Sequence, residues 1–200
     1  MTKIAIRAEQ GLSCVFSLAL VGNAAAVLAS PFTAGVGVPQ AVTSSGLAAA
    51  QRTQTPSQAS PDGKTLTFRQ QVIRLVAVTG PDNDMLSYRI DGKRNPTLVV
   101  PPGATIKLLF VNTDDDMKHN VRFGTALEAY PSVMTSYGKA SVGTPELAPK
   151  SGTAFSGEEL TLRAPASPGT FVYLCTVRGH AQGGMIGRVV VRQEAKRETP

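Results

Sequence analysis

Tyr173-Leu-Cys175-Thr-Val-Arg-Gly-His180-Ala-Gln-Gly-Gly-Met185 is the stretch that decides how this chain is read. Phe171, Tyr173 and Cys175 alternate with Val172 and Leu174, so they share one face of a strand. Val189 and Val191, with Arg188 and Arg192 on the opposite face, mark a second strand after the stretch. The spacing Cys-x4-His-x4-Met therefore puts a thiol, an imidazole and a thioether on one loop between two strands. Upstream, His119 opens another strand-like run. The chain holds only two His, and both fall in this set. Two His, one Cys and a weak axial Met form the blue-copper donor set. The thiolate donates strongly, neutral imidazoles suit both Cu(I) and Cu(II), and the thioether favours Cu(I). The expected metal ligands are His119, Cys175, His180 and Met185, around one mononuclear type 1 copper. No catalytic residue is expected.

Working outward, the surrounding segments carry strand signals. Leu86, Tyr88 and Ile90 alternate with polar residues; so do Leu160 and Leu162. Ile106, Leu108 and Phe110 alternate with Lys107, Leu109 and Val111. Turn chemistry punctuates these runs at Pro81-Asp82-Asn83, Asp91-Gly92, Pro101-Pro102-Gly103 and Ser167-Pro168-Gly169. Short punctuated strands without a long amphipathic helix predict an all-β chain, an antiparallel sandwich or barrel. Residues 125–157, with Gly, Pro, Ser and two Tyr, predict a long connection across it. The run Asp114-Asp115-Asp116 reads as a solvated acidic turn, and Met117 and Met134 as packing residues.

The N-terminus has the layout of a cleaved secretion signal over residues 1–29, with an uncleaved anchor helix as the alternative. Lys3 and Arg7 precede an apolar run from Gly11 to Leu28 that ends in small residues. Residues 30–62, rich in Ser, Thr, Ala, Gln, Gly and Pro, predict a disordered lead-in or flexible low-complexity linker. Residues 194–200 read as a polar tail. Cys14 would leave with the signal, and Cys175 would be the sole thiol of the mature chain. In an oxidising compartment such a thiol needs an occupant, and a metal provides one. Among 200 residues, 20 Lys and Arg stand against 14 Asp and Glu. The basic residues are scattered and Trp is absent, which argues against nucleic acid. No membrane span is expected in the mature form.

From about Asp91 to Val191 the chain resembles the cupredoxins, and among them is most similar to the rusticyanin and sulfocyanin group. The resemblance rests on Asn95-Pro-Thr-Leu98, Pro102-Gly-Ala-Thr105, Phe110-Val-Asn112, His119, Pro168-Gly169, the Cys-x4-His-x4-Met loop, and Gly187 before Val189-Val190-Val191. It implies a Greek-key β-sandwich, with a cupredoxin domain over residues 63–193, a mononuclear copper and periplasmic electron transfer. Two positions depart from the pattern. Arg178 stands where related loops carry Pro before Gly-His, which restores a backbone N–H and adds a charge. Asn120 follows the first His, as in azurin, where that Asn ties the two ligand loops by hydrogen bonds; rusticyanin carries Ser there.

These readings predict a non-enzymatic periplasmic single-electron carrier, monomeric, working with redox protein partners such as a c-type cytochrome. The alternatives are a copper-binding or delivery protein, or an accessory electron-entry domain of a copper oxidase. Two histidines are too few for the additional sites of a copper oxidase or nitrite reductase. A binuclear entry domain would need a second Cys in the loop.

Overall fold

The computed structural model describes residues 29–193; the expected signal segment, apart from Ala29, and the expected tail lie outside the described residues. The early strands are β1 (Thr33–Ala34), β2 (Val38–Thr43), β3 (Gln58–Ala59), β4 (Thr65–Thr67) and β5 (Val72–Thr79). Then come β6 (Tyr88–Ile90), β7 (Lys93–Arg94), β8 (Thr97–Val100), β9 (Thr105–Asn112) and β10 (Arg122–Gly124). The last four are β11 (Val142–Gly143), β12 (Ala154–Arg163), β13 (Gly169–Leu174) and β14 (Ile186–Val191). One sheet runs β1-β12-β9-β5-β6-β7, with β2 also on β12; the other runs β11-β10-β13-β14-β8-β4-β3. This is the expected all-β sandwich.

The alternation read from the sequence is the alternation that is buried. Ile106, Leu108, Phe110, Leu160, Leu162, Val189 and Val191 are all within 2% of full burial, while Lys107, Glu159, Thr161 and Arg188 are exposed. Val172 and Leu174, on the other face of β13, are buried as well. They pack against Met134 and Tyr137 of the 125–157 connection, which carries a short helix (Thr135–Ala140) and covers that outer face.

Two expectations need correction. The pairing is not purely antiparallel: β5 with β9, β8 with β14 and β4 with β8 run parallel. The chain visits the second sheet as β8 before returning to the first as β9, so β9 lands beside β5 in the same direction. Residues 30–62 are not a flexible linker. β1 and β2 add to the edge of β12, and a helix follows at Ser44–Arg52, its N-cap made by Thr43 Oγ1 accepting from the Gly46 N–H at 3.1 Å. Phe32 anchors this strap, buried against Phe123 and Phe171 with ring centroids 5.5 and 5.3 Å apart. The segment lacks periodicity because edge pairing and one aromatic anchor hold it, while most of β2 and all of the Ser44–Arg52 helix stay out of the core.

At the end nearest the Cys-His-Met loop, Tyr173 and Gly187 face each other across β13 and β14. The fully buried Tyr173 ring lies over Gly187, and its hydroxyl donates to the Pro96 carbonyl at 2.7 Å. A Cβ at position 187 would overlap that ring. Gly187→Ala is therefore expected to destabilise the fold by about 1–3 kcal/mol, the usual range for overpacking. Urea denaturation of the two proteins measures it, and equal midpoints would show that the ring can move aside freely.

Candidate metal centre

Two of the site residues sit where a strand ends, and the two His sit in loops. Cys175 directly follows β13, and Met185 directly precedes β14. The Cys175 N–H donates to the Met185 carbonyl at 3.2 Å, closing the neck of the loop. Between them the chain is wound by its own backbone: Gly183 N–H to Gly179 C=O at 2.8 Å, and Met185 N–H to His180 C=O at 3.0 Å. Gly179 and Gly184 have φ of 82° and 103°, which other residues rarely adopt. Neighbouring segments pin this loop from outside. The Gly179 N–H donates to the Ser132 carbonyl at 2.8 Å, and Asn95 Nδ2 donates to the Gly184 carbonyl at 3.0 Å.

His119 lies between β9 and β10 and pairs through its backbone with Leu147 in both directions. The intervening loop is cross-braced by Asn112, whose Nδ2 donates to the carbonyls of Met117, Leu147 and Ala148 at 2.9–3.1 Å. Asn120 ties this loop to the other one: its Nδ2 donates to Thr176 Oγ1, and its Oδ1 accepts the Thr176 N–H, both at 2.8 Å. The two-loop tie expected from the sequence is present. Its carbonyl also accepts from the buried Tyr88 hydroxyl at 2.6 Å.

The four expected side chains converge. His119, Cys175 and Met185 are fully buried and His180 is 7% exposed. The Cys sulfur and one nitrogen of each His lie within 4.8 Å of one another. Cys175 Sγ is 3.4 Å from His180 Nδ1, and Met185 Sδ is 3.2 Å from His119 Nδ1.

Asp114 was missed in the sequence. Its carboxylate is buried and Oδ2 lies 3.0 Å from His119 Nε2. Only Asp115 and Asp116 are exposed, so the reading of a solvated acidic turn fails for Asp114. The available signal was an Asp five residues before the only upstream His, and nothing in an acidic run distinguishes one member from the next. Burial would raise the Asp114 carboxyl, but N–H donors from Asp116, Met117 and His119 outweigh it and hold it at about 2. Burial also keeps both imidazoles neutral: it lowers His119, and with the neighbouring His119 it pushes His180 down to about 4.

These residues fit a copper ion. With Nε2–H donating to an ionised Asp114, His119 presents a bare lone pair at Nδ1. That lone pair faces a thioether that has no hydrogen to give. Such a contact is repulsive unless a cation lies between. Burial pushes the Cys175 thiol up to about 11, against the N–H groups of Asn120 and Val177, which favour the thiolate; a bound cation would complete the ionisation. The set of S, N, N and S is soft, which suits copper and disfavours Mg or Ca.

The chain is similar to known proteins. The sulfocyanin (SoxE) domain matches residues 51–197. Rusticyanin of Acidithiobacillus ferrooxidans is 33% identical over 133 residues, covering 65% of this chain and 83% of that protein. Rusticyanin of Acidithiobacillus ferridurans is 32% identical over 132 residues, covering 65% and 68%. The solved structure of rusticyanin from Thiobacillus ferrooxidans superposes with a TM-score of 0.67 at 25% identity, covering 78% of this chain and 97% of that one. The chain belongs to the sulfocyanin family of cupredoxins, single-electron carriers built around one type 1 copper.

Proposed function

We propose that this protein is a periplasmic, monomeric single-electron carrier whose copper is held by His119, Cys175, His180 and Met185. The observation that carries the reading is the convergence of four buried candidate donors at one end of the sandwich, with His119 Nδ1 and Met185 Sδ 3.2 Å apart. Copper bound there supplies one-electron exchange between Cu(II) and Cu(I). The protein's part is to keep the donors fixed. Asn120, Asn95, Asn112 and the backbone of the Cys-His-Met loop hold them in a framework that need not rearrange when charge changes. All four donors come from side chains, which leaves no place for a substrate and favours a carrier over an enzyme.

The route outward runs through His180, the one donor residue that reaches the surface. Gln182, Gly183 and Gly184 beside it are exposed, whereas Ala181 turns inward against Met134 and Tyr137. A Cβ at Gly183 would meet the end of the Leu86 side chain, which would have to shift. Small residues at this face let a partner's cofactor come near. Arg178 is exposed next to it and favours an acidic partner face, such as that of a c-type cytochrome. Periplasmic placement is supported by the signal-like N-terminus and by a sole mature thiol that needs an occupant. Among the described residues no helix is long and apolar enough to cross a membrane.

The absorption spectrum of the oxidised copper-loaded protein tests this directly. An intense blue thiolate-to-copper band is expected, and Cys175→Ala should abolish it; a strong band in that variant refutes the ligand set, and a colourless wild type points to copper delivery instead. Met185→Leu should retain copper and colour while raising the potential by roughly 60 mV or more, a tenfold change in a one-electron equilibrium. An unchanged potential on redox titration would remove Met185 from the axial position. Arg178→Pro should keep the colour and slow association with an acidic cytochrome about two- to fivefold at low salt. The difference should vanish at high salt, where the Debye length falls to about 3 Å. Stopped-flow rates across a salt series decide it, and equal rates at low salt would make Arg178 a bystander.

A further inference from the structure

We propose that Asp114 is a positioning residue for the copper site: its buried carboxylate fixes the tautomer of His119, and its charge biases the site toward the oxidised state. This rests on the copper reading above and adds to it a determinant of the potential.

The carboxylate accepts on both oxygens. Oδ2 faces His119 Nε2 at 3.0 Å, and Oδ1 accepts the N–H groups of Asp116 and Met117, each at 3.0 Å. With donors on every side the group is an anion rather than a neutral acid. Nε2 must then carry the proton, and the lone pair lies on Nδ1, the nitrogen aimed at Met185 Sδ. The ring and the carboxylate belong to one framework. The Asp114 N–H donates to Asn112 Oδ1 at 3.2 Å, and the Asp114 carbonyl accepts the Lys150 N–H at 2.7 Å. Asn112 in turn donates to the carbonyl of Leu147, the residue that pairs with the His119 backbone. Neither side chain can swing away to relieve the other. Outer partners of this kind fix ring orientation and raise ligand basicity.

An amide cannot take over this role. After Asp114→Asn the new NH2 group would face either the two backbone N–H donors of Asp116 and Met117, losing both bonds, or the Nε2–H of His119, losing that one. The electrostatic consequence follows from burial. The Asp114 and His119 side chains are 1% and 0% exposed, so little water screens the charge. Reduction places an added electron near that anion, and repulsion opposes it. His180 has no carboxylate partner among the described residues and reaches the surface, so the two imidazoles are not equivalent.

Asp114→Asn in the full-length copper-loaded protein is the test, with Asp115→Asn as the control that removes the same charge from a solvated neighbour. Wild type and both variants should be blue when oxidised; a colourless wild type would fail the copper reading rather than this one. Redox titration of Asp114→Asn should show the equilibrium displaced toward the reduced form by about tenfold or more, 59 mV per tenfold for one electron. Asp115→Asn should move it less than twofold. A shift below twofold in Asp114→Asn, or an equal shift in the control, overturns the proposal. If Asp114→Asn does not fold, long-range ¹H–¹⁵N correlation of the wild-type protein still decides. In both the copper-free and the Cu(I) forms the His119 proton should sit on Nε2 and exchange slowly. A proton on Nδ1 in the copper-free form overturns the proposal.

Discussion

The contact between His119 Nδ1 and Met185 Sδ is the constraint on which the site depends. With the His119 proton on Nε2, as proposed, the two would be acceptors 3.2 Å apart in a buried space, and both are held there by elements that cannot relax separately. His119 is stitched to Leu147 on one side and Asp114 on the other. Met185 is fixed by backbone bonds to Cys175 and His180 at the mouth of β14. On the proposed ligand set, a copper ion held between Nδ1 and Sδ would relieve their repulsion. Part of the binding energy of such an ion is folding energy.

Holding two loops against that repulsion falls largely to short polar side chains. Asn95, Asn112, Asp114 and Asn120 each bond to backbone groups or side chains outside their own turn. All four are well suited to the task because an amide or carboxylate on a one-carbon stem has little freedom to lose and offers two polar atoms at a fixed angle. A typical internal hydrogen bond contributes only about 1 kcal/mol net, whereas an orphaned buried partner costs about 1–3 kcal/mol. Their combined effect is therefore mainly to exclude other loop geometries. Tyr88 and Tyr173 extend the scheme into the core, their rings 5.3 Å apart and their hydroxyls donating to Asn120 and Pro96.

The sequence made the candidate donor set legible because the residue types are rare: the chain has two His and two Cys, and both His fall in the set with Cys175. The core strands were legible for a different reason. Where one face of a strand is buried and the other wet, period two is written into the residue types, as at Leu160 and Leu162 between exposed Glu159, Thr161 and Arg163. The strap at residues 33–52 left no such mark. β2 is exposed at five of its six positions, and the energy of edge pairing lies in the backbone, which every sequence possesses. Asp114 was hidden by its neighbours, since its difference from Asp115 and Asp116 is burial, a tertiary property. The parallel pairs were hidden by topology: alternation reports which face is buried and says nothing about strand direction.

The two imidazoles end up with opposite surroundings, and this asymmetry follows from where each sits on the sandwich. His119 comes from a loop covered by the β10–β12 connection, which supplies Leu147 and Ala148 as a lid, with Asn112 of β9 as its brace. Its outward nitrogen is therefore met by protein, and a buried nitrogen of that kind requires an acceptor. His180 comes from the hairpin-like loop joining β13 and β14, with exposed Gln182, Gly183 and Gly184 on its rim. A sealed imidazole is suited to setting the electronic character of the site, because nothing in solution alters its partner. An imidazole at the surface is suited to passing charge, because the distance to a docked molecule is short. Placing both tasks on one ring would make the potential depend on whatever partner was bound; on the proposed reading, dividing them between His119 and His180 would keep the site's energetics separate from its traffic.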